Sequence, residues 1–231
     1  MTAVRLLSGG AAQGLVDSVR PAFEAHTGCI IDGVFGAVGA MKARLLSGEP
    51  ADLLILSRTL IDELARVGHA APASIRDIGD VPTAVAVRTG EMPPWLHSAG
   101  DLRAALRAAD EIHFPDPELA TAGIHFAKVM RDLGVWDELR ERLRPAPNGA
   151  TAMAALAACK SARPIGCTQA TEILSTPGIV LAAPLPPGCA LATTYTCAIT
   201  SRAAAPEPAA SLIALLTGDA DRDARRGLGF A

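Results

Sequence analysis

One arrangement able to do chemistry recurs along this chain: an apolar strand that runs straight into glycine and then into a helix. In VRLLSGGAAQGLVDSVRPAFEAHTG the strand stops at Ser8, Gly9 and Gly10, with no lysine, acid or histidine beside it. A glycine pair lets the backbone turn sharply and lets a ligand approach its N–H groups. The helix that follows aims unpaired N–H groups and the positive end of its dipole at the same spot. Such a turn is an anion site made of backbone; read blandly, it is a tight turn with nothing bound. FGAVGAMKARLLSG repeats the device with Gly36 and Gly39. Arg58 opens the helix RTLIDELARVG, where a cation opposes the dipole; a partner anion would account for it, and a solvated arginine is the alternative. Thr121 either caps a helix opening at Ala122 or Gly123 or offers its hydroxyl to a ligand. His125, one turn on, is a candidate general base. Thr168, Gln169 and Glu172 mark a further helix start, and Asp52, entering a buried strand, reads as a structural hydrogen-bonder.

GxSxG, HExxH, GxxxxGK[ST] and GxGxxG are all absent, and Gly9, Gly10 and Gly14 have the wrong spacing for a dinucleotide fingerprint. Hydrolase, kinase and dehydrogenase readings are therefore weak. With 231 residues, 50% hydrophobic and 19% charged, the chain can bury one large core or two small ones. A net charge of -3 and a pI near 5.9 argue against nucleic acid or an anionic membrane as partner, so any attraction for an anion is local. Aromatic residues make up 3%, too few for stacking platforms. No apolar run approaches the roughly 18 residues that span a bilayer, so no membrane insertion is expected. MTAVRLLSGG lacks the features of a signal peptide, which reads as cytoplasmic as written, or periplasmic if the sequence is a mature form. Cys29, Cys159, Cys167, Cys189 and Cys197 are an odd set without metal-ligand spacing; most of them read as buried thiols, with no metal and no cofactor expected.

The elements that must position these residues alternate. CIIDGVF and ADLLILS are strands, each followed by a helix, so the first 68 residues read as three strand–helix units of a parallel sheet. Helices end at Gly28, Gly48 and Gly68, and Pro21 should kink or interrupt the first. DVPTAVAVRTG is a strand, and DLRAALRAA a helix with Asp101 as its cap or first-turn acid. EIHFPDPELATAGIHFAKVMRDLG gives a strand, a loop rich in turn residues and a helix opening near Ala122 or Gly123; NGATAMAALAACKS is a short loop and helix, and RPIGCTQATEIL a strand entering a helix. GIVLAAPLP and LATTYTCAITS follow as strands, and EPAASLIALLTGDADRDARRG closes with helix. Strands at 82–88 and 191–200 bracket a self-contained α/β block. They would carry the chain out to a second lobe and back, giving lobes of 1–82 plus 195–231 and 83–194 with a cleft between them.

The ordered set SGGAAQGL, FGAVGAMKARLLSGEPADLLILS, DPELATAGIHFAKVMRDLGVWDEL and IGCTQATEIL resembles the molybdate-binding-protein-like branch of the type 2 periplasmic solute-binding proteins. The resemblance covers essentially the whole chain. It implies an α/β, two-lobed fold, each lobe a mostly parallel sheet flanked by helices, joined by two crossover strands, with a small anion held in the cleft. It implies ligand contacts from Ser8, Gly9, Gly10, Ala11, Gly36, Ala37, Gly39, Arg58, Thr121, Ala122, Gly123, Cys167 and Gln169. Against that family, hydroxyl positions are here Ala11, Ala37, Val38 and Gly39, and an aromatic facing the ligand becomes Cys167, which should then be exposed to the cleft. Molybdate and tungstate become the third choice. The remaining cradle with Arg58 points to a small organic di- or tricarboxylate, since a guanidinium grips planar carboxylates bidentately. Aconitate isomerase resembles the same branch and would move a double bond without a cofactor, with His125, Cys167 or Glu172 as base. An importer permease is the implied partner if the protein is exported, and a monomer the implied state.

Overall fold

A computed structural model describes residues 2–219 and 222–231. In chain order the elements are β1 (Ala3–Gly9), a 3-10 turn at Gly10–Ala12, α1 (Gln13–Thr27), β2 (Ile30–Gly36), α2 (Val38–Leu46), β3 (Leu53–Ser57) and α3 (Arg58–Arg66). A second 3-10 turn at Pro72–Ser74 leads into β4 (Arg76–Arg88), then α4 (Ala99–Ala108), β5 (Glu111–Pro115) and α5 (Thr121–Asp132). A 3-10 turn at Arg140–Arg142 precedes β6 (Leu143–Ala146), α6 (Gly149–Ala158), β7 (Pro164–Gln169), α7 (Ala170–Leu174), β8 (Ile179–Pro184) and β9 (Ala192–Ile199). The chain closes with α8 (Pro206–Thr217) and α9 (Arg222–Gly227).

The chain divides into two compact units, Met1–Val81 with Thr193–Ala231, and Pro82–Ala192, and β4 runs from the first into the second. In unit one the strand order is β2-β1-β3-β9. β1 pairs in parallel with β2 and β3, as strand–helix–strand crossovers dictate, while β9 runs antiparallel to β3. In unit two the order is β8-β4-β7-β5-β6, with β5 parallel to β6 and β7, and β4 antiparallel to β7 and β8. To the parallel strands expected from the sequence each unit thus adds antiparallel ones. The reason is connectivity: β4 and β9 reach their sheets outside the crossover helices that force a parallel set.

Every residue of β3 is buried, as befits a central strand covered on both faces. α1 buries Leu15, Val16, Val19 and Phe23, and ends at Gly28 in the left-handed conformation, φ 67°. Pro21 does not interrupt α1, which runs unbroken from Gln13 to Thr27. It lies on the exposed face, where the carbonyl it leaves without a donor meets solvent. Asp52 is buried and accepts from the backbone N–H groups of Arg5 at 2.8 Å, Ala204 at 2.6 Å and Ala205 at 3.0 Å, tying the start of β1 to the approach to α8. In unit two Phe114 packs edge-on against Phe126 and Trp136 in a core shared by β4, β5, β7, α4 and α5. Ser98, not Asp101, caps α4: its hydroxyl accepts from the Asp101 N–H at 3.2 Å, and Asp101 takes the reciprocal first-turn role. β6 was not read from the sequence; LRPA is short and carries a proline, but pairs in parallel with β5 at the sheet edge.

Candidate functional site

In unit one, three strands end side by side and three helical segments begin there. Gly9 lies opposite Gly36, and Ser8 opposite Ile55, two residues before the end of β3. The turns after them open the Gly10–Ala12 segment, α2 and α3, and none of these starts has a side-chain cap. Two other helices, α4 and α6, are capped by Ser98 and Asn148. The uncapped starts keep first-turn N–H groups that intrahelical bonds cannot satisfy.

Gly9 is glycine for a packing reason. A Cβ there would lie 2.8 Å from Val38 Cγ1 and 2.9 Å from Tyr195 Cε1, so the turn, the first residue of α2 and the ring on β9 close against one another. Gly36 meets Met41 Cε at 3.0 Å in the same way. Ala11 and Ala37 are buried, whereas Gly10 and Gly39 are only half-buried and present their backbone. Ser8 requires a correction. Its side chain is fully buried and its hydroxyl donates to the Gly9 carbonyl at 2.9 Å, so it braces the turn and offers no hydroxyl outward. Two residues escaped the sequence reading. Ser57 ends β3 at the N-cap position of α3 yet makes no capping bond, and Tyr195, the sole tyrosine, lies opposite it on β9. Their only signal was position: the last residue of a strand, and a lone aromatic in a crossover strand.

Arg58 also departs from expectation. Its Nε donates to Asp62 at 2.9 Å and its Nη1 to Asp77 at 3.0 Å, and Thr196 Oγ1 supports Asp77 at 2.7 Å. The counter-charge that its helix-opening position calls for comes from the chain itself, and those carboxylates raise its pKa further.

In unit two the end of β5 leads into α5, whose N-cap is Ala120 and whose first residue is Thr121, so Thr121 is not the cap. Asp116 orders the approach, accepting from the N–H groups of Glu118 at 2.7 Å and Leu119 at 2.9 Å. A Cβ at Gly123 would lie 2.2 Å from the Asp116 carbonyl oxygen, so glycine lets α5 sit directly on the strand end, with Ala122 buried beside it. His125 Nε2 lies 2.7 Å from the Cys189 carbonyl oxygen; the ring donates there and so holds a proton on that nitrogen instead of accepting one. Cys167 is 1% exposed, in the core among Val85, Phe114 and Ile165. Burial raises its pKa well above the ordinary thiol value, and the cleft-exposed thiol expected from the aligned aromatic is not there. Gln169 is the N-cap residue of the five-residue α7 and is buried. Glu172, on the same short helix, turns back to the start of α6, where Thr168 Oγ1 donates to its Oε2 at 2.5 Å and the N–H groups of Gln169 and Ala150 also donate to its carboxyl. Burial pushes Glu172 up to about 7 against those bonds. The α6 start is therefore filled by a carboxyl of this chain.

Buried strand ends meeting uncapped helix starts, twice over in one chain, present backbone N–H groups of a kind that can receive an anion. A profile of the bacterial extracellular solute-binding proteins matches residues 4–231. The chain belongs to that family. Among similar proteins, this solute-binding protein is 27% identical to the aconitate isomerase of a Pseudomonas species over 237 aligned residues, covering 99% of this chain and 86% of that one. Its fold matches the Azotobacter vinelandii periplasmic molybdate-binding protein with a TM-score of 0.80 at 18% identity, covering 99% and 98% of the two chains. It matches the sulfate-binding protein SubI of Mycobacterium tuberculosis with a TM-score of 0.76 at 17% identity, over 100% and 86%. Among the described residues, no helix of this solute-binding protein is long and apolar enough to cross a membrane.

Proposed function

We propose that this solute-binding protein holds a small organic di- or tricarboxylate on the backbone N–H groups at the ends of β1, β2 and β3. The observation that carries the reading is the chemistry of those turns. Helix starts stand uncapped at Gly10, Val38 and Arg58, while Ala11, Ala37 and Gly39 bring no hydroxyl and Ser8 points inward. A carboxylate is satisfied by a few N–H donors from one side, whereas a dehydrated tetrahedral oxyanion needs donors all round it. Each hydrogen bond to a charged group that is missing is worth about 1.5–3 kcal/mol, so three missing hydroxyls remove several decades of oxyanion affinity. In unit two, Thr121, Ala122 and Gly123 at the uncapped start of α5 offer donors of the same kind. As a member of an extracellular family the protein would act as a monomer that hands its ligand to an importer permease.

A thermal-shift screen of molybdate, sulfate and a series of di- and tricarboxylates tests this. A carboxylate at a hundred times its Kd adds about 2.7 kcal/mol of stability. Submicromolar molybdate binding by calorimetry would overturn the assignment. The near full-length match to aconitate isomerase favours a second reading, in which the same carboxylate is turned over by taking a proton from one carbon and returning one to another. Proton NMR of an unsaturated tricarboxylate incubated with the protein distinguishes the two readings: in deuterated solvent, exchange and a moved double bond mean turnover, and an unchanged spectrum means binding alone.

A further inference from the structure

At the end of β5 remote from α5, three side chains of different chemistry converge. Glu111 and His113, two residues apart on one strand, present side chains to the same face, and Cys159 comes to them from the C-cap of α6. The Cys159 thiol donates to Glu111 Oε2 at 3.1 Å, and His113 Nε2 lies 3.1 Å from the same oxygen. The three donor atoms all fall within 4.8 Å of one another. The frame around them is tied down. Arg88 donates to the carbonyls of Cys159 and Ser161, the Ser161 N–H donates to Cys159 Sγ at 3.4 Å, and Arg144 approaches Glu111 Oε1 at 3.5 Å. His113 is 5% exposed and its Nδ1 has no partner among the described residues, so its one polar contact is this cluster.

We propose that Cys159 Sγ, His113 Nε2 and the Glu111 carboxylate form a binding site for a zinc-class divalent ion. Thiolate, imidazole and carboxylate are the donor types Zn²⁺ takes, and bonds of about 2.0–2.3 Å put tetrahedral donors about 3.3–3.8 Å apart. The observed spacing reaches that geometry with small rotations of Cys159 and Glu111, both partly exposed. Mg²⁺ and Ca²⁺, which want oxygen alone, are disfavoured. On binding, the thiol proton now donated to Glu111 leaves to solvent, the sulfur bonds the metal, and water completes the fourth position. The ion would pin the C-terminal end of α6 to the start of β5, away from the strand ends that face α5. No metal was expected because the cysteines lack metal-ligand spacing; the fold brings Cys159 to the Glu111–His113 pair.

The test is a Co²⁺ titration of the full, metal-stripped chain kept reduced with a phosphine. One equivalent should bind with a near-ultraviolet thiolate-to-cobalt band and visible bands of four-coordinate intensity, and Zn²⁺ should displace it. Cys159→Ala, its fold checked by circular dichroism, should lose the thiolate band, and Glu111→Gln should weaken binding at least about tenfold. Cys159 is also the one cysteine that is not buried, so in the wild-type chain Zn²⁺ should protect it from iodoacetamide. A hydrogen-bonded acid–thiol–imidazole cluster without affinity for metal would show no saturable band and no protection. That result, or a band unchanged in Cys159→Ala, overturns the proposal.

Discussion

Replacing Glu172 by glutamine should flatten the stability of this protein against pH. The carboxyl is 6% exposed, accepts from Thr168 and two backbone N–H groups, and sits so close under α6 that a Cβ at Gly149 would be 1.8 Å from its Oε2. Burial lifts its pKa from 4.5 to about 7 despite those donors. The direction follows from proton counting. Between those two values the folded chain holds a proton that the unfolded chain has released, so stability falls as pH rises through this window and levels off above it. At about 1.4 kcal/mol per unit the whole effect is about 3 kcal/mol, of which about 2–3 kcal/mol falls between pH 5 and 8. Urea unfolding of wild type and Glu172→Gln at pH 5, 6, 7 and 8 isolates it, because other titrating groups cancel in the difference. Wild type should lose about 2–3 kcal/mol relative to the variant across that range. Parallel curves would mean that Glu172 ionises normally in the folded chain, and that the buried-carboxyl account of the α6 start is wrong.

Gly9→Ala should lower stability by about 1–3 kcal/mol in urea unfolding and weaken carboxylate binding, because the new methyl meets Val38 and Tyr195; an unchanged midpoint would contradict the close packing of that turn. Asp52→Ala leaves the N–H groups of Arg5, Ala204 and Ala205 without their acceptor and should cost about 3 kcal/mol or more at about 1–3 kcal/mol per orphaned group. Less than 1 kcal/mol by the same assay would mean that water replaces it freely. Arg58→Ala should change carboxylate affinity by less than about threefold in calorimetry, since the exposed guanidinium is already held by Asp62 and Asp77. A loss of tenfold or more would place Arg58 on the ligand.

The α/β fold was legible because its signals are local. Apolar runs such as ADLLILS end in glycine or serine and give way at once to amphipathic helix, and Gly28 and Gly48 stop helices by taking positive φ. The turn at Gly10 and the helix start at Gly39 were visible for the same reason. Asp52 was read correctly as a structural hydrogen-bonder, but the inferences about four candidate site residues failed. Arg58 finds Asp77 on a later strand, Ser8 turns inward onto the Gly9 carbonyl, His125 spends a ring nitrogen on the Cys189 carbonyl, and Cys167 is sealed in a core. Ser8 apart, whose partner is the next residue, these partners are distant in sequence and leave no mark on local spacing. The filling of the α6 start by Glu172, and the meeting of Glu111, His113 and Cys159, were hidden for the same reason.

The claim that a carboxylate rests on backbone N–H groups is tested most directly by the amide spectrum of ¹⁵N-labelled protein titrated with citrate. The largest saturable shifts should belong to Gly10, Gly39 and Arg58, at the starts following β1, β2 and β3, with molybdate at equal concentration leaving them in place. Saturable shifts that spare those amides and gather instead at Ile78, Arg222, Arg225 and Phe230, which line a separate basic pocket, would contradict it.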